Sequence, residues 1–228
     1  ACLSPDGERI ATGPAGGTVQ LWDASAGLSI AEPIRHSQAI TDVRFSPDGH
    51  LLASASWDGS ALISSVRSIK PARAKLTLPE RATTADILPL RGMIALGSEF
   101  GRLCVWDPKT DKKFIPKAFH QGFINQIRSS PRGNYVATAG RDGTGMILDT
   151  RNGRRIGSRL RHASPIMALA FSPDEQWIAT ASFDGHARIW SVPEGRPVSR
   201  PLPHGLSVSA VEFSPDSDIL MTASADGV

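Results

Sequence analysis

The feature that most constrains this chain is a step of 42 residues that runs along it without insertion. Ser-Pro-Asp begins at Ser4, Ser46, Ser172 and Ser214, and Ser130-Pro131 keeps the same frame. One column at this step reads Pro5, Pro47, Pro89, Pro131, Pro173, Pro215. A second reads Gly17, Gly59, Gly101, Gly143, Gly185, Gly227, and a third, all aliphatic, reads Ile10, Leu52, Ile94, Val136, Ile178, Leu220. Glycine averages about 7% of residues, so five further matches by chance have odds of roughly one in a million. A unit this short cannot bury its apolar face alone and has to stack on its neighbours.

Each unit divides into four short strands. Runs such as Ile40 to Phe45 and Leu51 to Ser56 end at Pro, Asp or Gly. In Ser46-Pro47-Asp48-Gly49, proline fixes φ, aspartate bonds back to the backbone and glycine accepts a positive φ, which makes a turn. Asp58-Gly59 and Asp184-Gly185 between β-rich runs predict tight hairpins. A third strand follows, for example Ala187 to Trp190, and a polar fourth strand is expected around Val198 to Leu202. Pro201 and Pro203 there discourage edge-to-edge pairing.

Four strands every 42 residues, with Trp22-Asp23 and Trp106-Asp107, the variant Trp190-Ser191, and Phe45 and Phe171 running into Ser-Pro-Asp, resemble the WD-repeat (WD40) family. The resemblance covers essentially the whole chain. It implies an all-β fold, a β-propeller of four-stranded antiparallel blades, here five full blades and a partial sixth. The approximate blades are 1–36, 37–78, 79–120, 121–162, 163–204 and 205–228. Seven blades are usual for that family and need more than 228 residues, so the chain is expected to be a fragment of a longer protein. The even spacing is similar to the WD arrays of large bacterial signalling proteins, in which a kinase or other effector domain often adjoins the array.

The same resemblance implies a hydrogen-bonded tetrad in each blade: His before the first strand, Ser or Thr in the second, Asp at the following turn and Trp in the third. Blade 5 matches it completely with His162, Thr180, Asp184 and Trp190. Blade 2 offers His36, Ser54 and Asp58, with Ser64 in place of Trp. Blade 4 offers His120, Thr138 and Asp142, with Leu148, and blade 6 offers His204, Thr222 and Asp226. Blade 3 has Leu78, Leu96 and Phe100 and keeps only Trp106. Joint loss of three polar members is sensible, because a half-satisfied buried network is worse than an apolar one. Each His belongs to its own blade, so no metal site is expected. His50 and His186 show no partner from sequence.

The net charge is +3, too small to imply nucleic acid by itself. The cluster Arg151, Arg154, Arg155, Arg159, Arg161 reads first as a solvated face, or else as a patch for an acidic partner. Cys2 and Cys104 form no CxxC and no disulfide framework; Cys104 reads as a packed small hydrophobe. No apolar stretch approaches the ~18 residues that span a bilayer. There is no Gly-x-Ser-x-Gly elbow, Walker loop, His-Glu-x-x-His or Gly-x-Gly-x-x-Gly, and the aspartates are accounted for by turns. The expectation is a scaffold without cofactor that binds a protein or peptide. The alternatives are a structural or sensory array in a larger signalling protein, and a propeller enzyme or small-ligand site; the first strands, which would line such a site, read mostly apolar.

By the resemblance, partner contacts fall on the top face, at the residue before the tetrad Asp and at alternate residues opening the first strand. Ile40, Ile124, Ile166 and Val208 share a column that should point inward, with their neighbours pointing away. The turn column reads Ala15, Trp57, Glu99, Arg141, Phe183, Ala225. The strand columns read Ala39, Arg81, Phe123, Pro165, Ser207 and Thr41, Thr83, Asn125, Met167, Ser209. The candidate surface is therefore Trp57, Arg81, Glu99, Phe123, Asn125, Arg141, Met167 and Phe183, residue types enriched in interface hot spots or varied in chemistry from blade to blade.

Overall fold

The computed structural model describes residues 1–66, 74–89, 92–114 and 120–227. Every helix or strand element among them is a β-strand. They form five four-stranded antiparallel sheets and one two-stranded sheet, each a simple meander. The chain divides into two units, Ala1–Glu99 with Leu103–Phe114, and Phe100–Arg102 with Ile115–Val228.

The first unit holds three sheets. The first is β1 (Cys2–Leu3), β2 (Arg9–Thr12), β3 (Thr18–Asp23) and β4 (Ile34–Arg35). The second is β5 (Ile40–Phe45), β6 (Leu51–Ser56), β7 (Ser60–Ser65) and β8 (Ala74–Thr77). The third is β9 (Ala82–Leu88), β10 (Met93–Ser98), β11 (Leu103–Asp107) and β12 (Lys112–Phe114).

The second unit holds β13 (Ile124–Ser129), β14 (Tyr135–Gly140), β15 (Thr144–Asp149) and β16 (Arg155–Arg161) as its first sheet. Its second is β17 (Ile166–Phe171), β18 (Trp177–Ser182), β19 (His186–Ser191) and β20 (Leu202–Pro203), and β21 (Val208–Phe213) pairs with β22 (Leu220–Ser224). The fourth strand expected at Val198 to Leu202 is shorter and later than the sequence suggests. The chain first touches β19 through a bridge from Pro197 to Trp190, and ladder pairing resumes only at Leu202–Pro203. Prolines at 197, 201 and 203 remove the donors a longer strand would need.

The Ser-Pro-Asp column is a self-contained turn. In the copy between β5 and β6, Ser46 Oγ donates to Asp48 at 2.5 Å and accepts the Leu51 N–H at 2.9 Å. Asp48 also accepts the His50 N–H at 3.0 Å. The same bonds recur at Ser4, Ser172 and Ser214. These short side chains satisfy backbone groups that the reversal would otherwise leave unpaired.

Sheets pack by giving each a bulky face and an alanine face. In the second unit Ala137 and Ala139 of β14 meet Ile166, Leu169, Phe171, Ile178 and Trp190 of the next sheet. The alanines of that sheet, Ala179, Ala181 and Ala187, in turn meet Val208 and Val211. In the first unit Ala53 and Ala55 face Ile87, Ile94, Leu96 and Trp106. Period-two alternation puts Ser54, Thr138 and Thr180, which lie between these alanines, on the opposite, bulky face.

The first strand of every sheet after the first, β5, β9, β13, β17 and β21, carries a β-bulge near its start. The unpaired extra residue is Thr41, Thr83, Asn125, Met167 or Ser209. Ile124, Ile166 and Val208 just before it are fully buried, while Ile40 is only partly so. Bulge side chains reach the next sheet, as at Thr41, whose Oγ1 donates to the Ala82 carbonyl at 3.0 Å, and at Asn125, whose Nδ2 donates to the Ile166 carbonyl at 2.8 Å. The residue after the bulge does the same. Asp42 accepts the Thr84 hydroxyl at 2.9 Å and the Ala85 N–H at 3.3 Å, and Gln126 accepts the Leu169 N–H at 2.7 Å. The first strands are therefore less apolar than the sequence suggests. One face carries Asp42, Arg44, Asp86, Gln126 and Arg128, and Asp42 and Gln126 of this face clip consecutive sheets together.

The glycine column has a steric cause. Gly59 has φ +79°, and a Cβ there would lie 2.6 Å from the Leu78 carbonyl and 2.8 Å from that of Glu80. Those carbonyls belong to the segment leaving β8, which Gly59 holds by accepting the Leu78 N–H at 2.8 Å. Gly59→Ala is therefore expected to lower stability by about 2–4 kcal/mol, from the left-handed φ and the clash together. Denaturant unfolding of the variant beside wild type measures it, and a loss under about 0.5 kcal/mol would contradict this account.

Candidate functional site

Two layers of side chains meet at the turns between second and third strands. The lower layer is a buried polar chain. In the sheet β17–β20, the Trp190 indole donates to Thr180 Oγ1 at 2.9 Å, and Thr180 lies 2.8 Å from His162 Nε2. His162 Nδ1 is 2.9 Å from Asp184, which also accepts the Ala163 N–H at 3.0 Å and the His186 N–H at 3.1 Å. A neutral imidazole with the proton on Nδ1 fits these partners, donating to Asp184 and accepting from Thr180, and burial, which holds His162 below the ordinary imidazole value, favours that neutral form.

The other sheets vary this arrangement. His120 contacts Thr138 at 2.8 Å and Asp142 at 3.0 Å, and shares Nδ1 with Thr144 at 3.1 Å. His36 contacts Ser54 at 2.8 Å, but its Nδ1 lies nearer Ser60, at 2.9 Å, than Asp58, at 3.4 Å. Ser64, in the place of tryptophan, has a buried hydroxyl with no partner among the described residues. His204 and Thr222 are 3.0 Å apart, and Asp226 accepts the Gly205 N–H at 2.6 Å. The first sheet keeps part of the arrangement, with Thr12 and Trp22 in the columns of Thr180 and Trp190: the Trp22 indole donates to Thr12 at 2.8 Å. In the third sheet the Trp106 indole turns to Asp111 at 2.9 Å, because Leu96 stands where a hydroxyl would be. His186 does have a partner, the Asp184 carbonyl 2.9 Å from its Nδ1.

The upper layer is the candidate contact surface. A backbone hydrogen bond joins the turn column to the strand-entry column in each case. The N–H of Trp57 donates to Ala39, Glu99 to Arg81, Arg141 to Phe123, Phe183 to Pro165 and Ala225 to Ser207, at 2.8–3.1 Å. In the first unit the Arg81 guanidinium lies 5.0 Å over the Trp57 ring, and Glu99 Oε1 accepts the Arg81 N–H at 3.3 Å. In the second unit Arg141 lies 5.6 Å over the Phe123 ring. Trp57 is 43% exposed and Phe183 52%, large values for aromatic rings in a folded chain. Met167 and Asn125 are half-buried, and the Asn125 amide is committed to Ile166 and lies 3.7 Å from Met167 Sδ.

Other candidates from sequence resolve simply. Arg151 pairs with Asp149 at 2.6 Å, while Arg155, Arg159 and Arg161 lie on β16. Cys104 is buried, and burial pushes its thiol up to about 11. Among the described residues no group of His, Cys, Asp and Glu could hold a metal, and no helix is long and apolar enough to cross a membrane.

Two outcomes follow from the polar chain. Thr180→Val keeps the shape but strands the Trp190 N–H and His162 Nε2, and should destabilise by about 2–3 kcal/mol in chemical denaturation. The second concerns pH. Burial outweighs the neighbouring carboxylates and holds His36 and His162 below the ordinary imidazole value. The unfolded chain then binds protons first as pH falls through about 6.5, so stability is full above that value and declines below it. Burial opposes ionisation of Asp58, Asp142 and Asp184, but their hydrogen bonds and adjacent imidazoles outweigh it and hold all three below the usual carboxylate range. They add a second loss below about pH 4. Thermal melts across this range should show both declines, and His162→Gln should flatten the first.

Comparison with known proteins agrees with this geometry. The family model "WD domain, G-beta repeat" matches residues 1–23, 29–63, 116–149, 153–191 and 195–228. The unmatched stretch 64–115 contains the sheet β9–β12, which lacks the histidine, hydroxyl and aspartate. The chain is 27% identical over 156 residues to Protein hir1 of Aspergillus terreus, covering 64% of this chain and 15% of that one. It is 26% identical over 147 residues to Telomerase protein component 1 of Mus musculus, covering 64% and 6%. It is 29% identical over 153 residues to Eukaryotic translation initiation factor 3 subunit I of Nematostella vectensis, covering 64% and 47%. The chain thus spans less than half the length of each of these relatives. With repeat matches over most of its length and the sheets to go with them, the chain belongs to the WD40 family.

Proposed function

We propose that this chain is a non-catalytic scaffold that binds a protein or peptide through its turn and strand-entry residues. The observation that carries the reading is a pair of arginine-on-aromatic stacks, Arg81 on Trp57 and Arg141 on Phe123, one in each unit. Stacking holds a long cationic side chain in place at a modest gain of about 0.5–1 kcal/mol. Ordering it beforehand lowers the entropy lost when a partner binds. The exposed Trp57 and Phe183 rings supply apolar area of the kind that anchors interfaces.

The chemistry beneath these residues supports a binding role over a catalytic one. The recurring His and Asp side chains face each other and the framework backbone, and their atoms are engaged in holding turns. The surface residues change from sheet to sheet, so each sheet offers a different contact. A shaped polypeptide suits that variety better than a repetitive polymer.

The test starts from peptides selected on the wild-type chain from a randomised library. The double variant Trp57→Ala with Phe183→Ala should weaken selected peptides by about thirtyfold, the scale of a hot-spot loss. Its melting temperature should stay within about 2 °C of wild type, because both rings are half exposed. A large fall in melting temperature with affinity retained would assign the rings to packing instead.

A further inference from the structure

The first unit contains a cavity of about 460 Å³ between its second and third sheets, on the side of the Ser46-Pro47-Asp48 turn. Its lining includes Leu51, Ile63, Ala74, Ile87, Leu88 and Pro108, and the cationic residue Lys109. The size falls in the range of small-molecule sites, and the lining is mainly apolar.

The second unit shows what such a seam contains when it is filled. The 42-residue step identifies equivalent positions, and at Ala74, where the bulge between β15 and β16 breaks that step, the strand register does. Leu51 pairs with Ser65 as Tyr135 pairs with Asp149, and Ile63 pairs with Ala74 as Ile147 pairs with Ile156. Two repeat steps take Ile87 to Phe171 and Pro108 to Val192. In the second unit Tyr135, Ile156 and Val192 pack onto a cluster that includes Ile147 and Phe171. Relative to that seam, the first unit has leucine for tyrosine, alanine for isoleucine and isoleucine for phenylalanine. The side chain at each of these three positions is smaller in the first unit, most of all at Ala74, and no aromatic ring enters the seam from Leu51 or Ile87.

Apolar side chains left without partners across a gap forfeit packing contacts, and mainly apolar pockets accept small aromatic molecules. We infer that the seam between the second and third sheets of the first unit is a binding site for a small molecule bearing one aromatic ring. The ring occupies the space bounded by Leu51, Ala74 and Ile87, where the second unit carries the larger Tyr135, Ile156 and Phe171. A polar group on it meets the Lys109 ammonium. The Asp48 carboxylate, also in the lining, is already held by Ser46 and the His50 N–H.

The probe is p-cresol, the tyrosine side chain as a free molecule, titrated into the whole chain by calorimetry and by NMR. Saturable one-to-one binding is expected, with Kd on the order of 1 mM or tighter for so small a ligand. Filling the seam with the residues of the other unit, Leu51→Tyr with Ala74→Ile, should weaken binding by about tenfold or more, with the melting temperature held or raised. Ile87→Phe fills it from the opposite wall and guards against failure of the double variant to fold. Absence of saturable binding, or undiminished binding in folded filled variants, overturns the inference. Equal affinity for cyclohexanol overturns its aromatic part.

Discussion

The seam between adjacent sheets is the constraint on which this molecule depends. Each seam must bury apolar surface to hold the sheets together, yet it also encloses hydroxyl, imidazole and carboxylate groups. A buried polar group without a partner costs about 1–3 kcal/mol, so these groups have to satisfy one another. The chain from Trp190 through Thr180 and His162 to Asp184 does so, and ends on backbone N–H groups that would otherwise be unpaired. The alanine face opposite allows close approach, because Ala137 and Ala139 present nothing larger than a methyl group.

Departures from this scheme obey the same rule. The third sheet dispenses with histidine, hydroxyl and aspartate together, and its remaining indole finds Asp111 in the following turn. The second sheet keeps three polar members and loses only tryptophan, which leaves the Ser64 hydroxyl buried without a partner among the described residues. One sheet thus reached a consistent apolar solution, while the other retains a small polar defect.

Bulges tie this framework to the exposed residues. An extra residue near the start of β5, β9, β13, β17 and β21 re-aims the side chains there, as bulges generally do. Thr41 and Asn125 turn toward the next sheet and bond its backbone, while Arg81 and Arg141 lie over aromatic rings at the surface. Framework and surface therefore alternate along a few residues of chain, and residues such as Asn125 serve packing although their column suggests contact.

The repeat, the turn columns and the four-strand rhythm were legible in the sequence alone, because each rests on local chemistry. Proline and glycine restrict φ, aspartate bonds its own backbone, and period-two alternation sorts faces. The matching columns also pointed to which histidine lies near which threonine. Position 186 was not legible in this way, since nothing local places its imidazole on the Asp184 carbonyl. Nor were the turn of Trp106 toward Asp111, the shortened β20, or the charged face of the first strands. Tertiary structure decided these, because each depends on which atoms a neighbouring strand or sheet brings within about 3 Å, the reach of a hydrogen bond. A repeat period specifies equivalent positions, but whether Leu51 or Tyr135 fills its seam depends on the side chains across the gap.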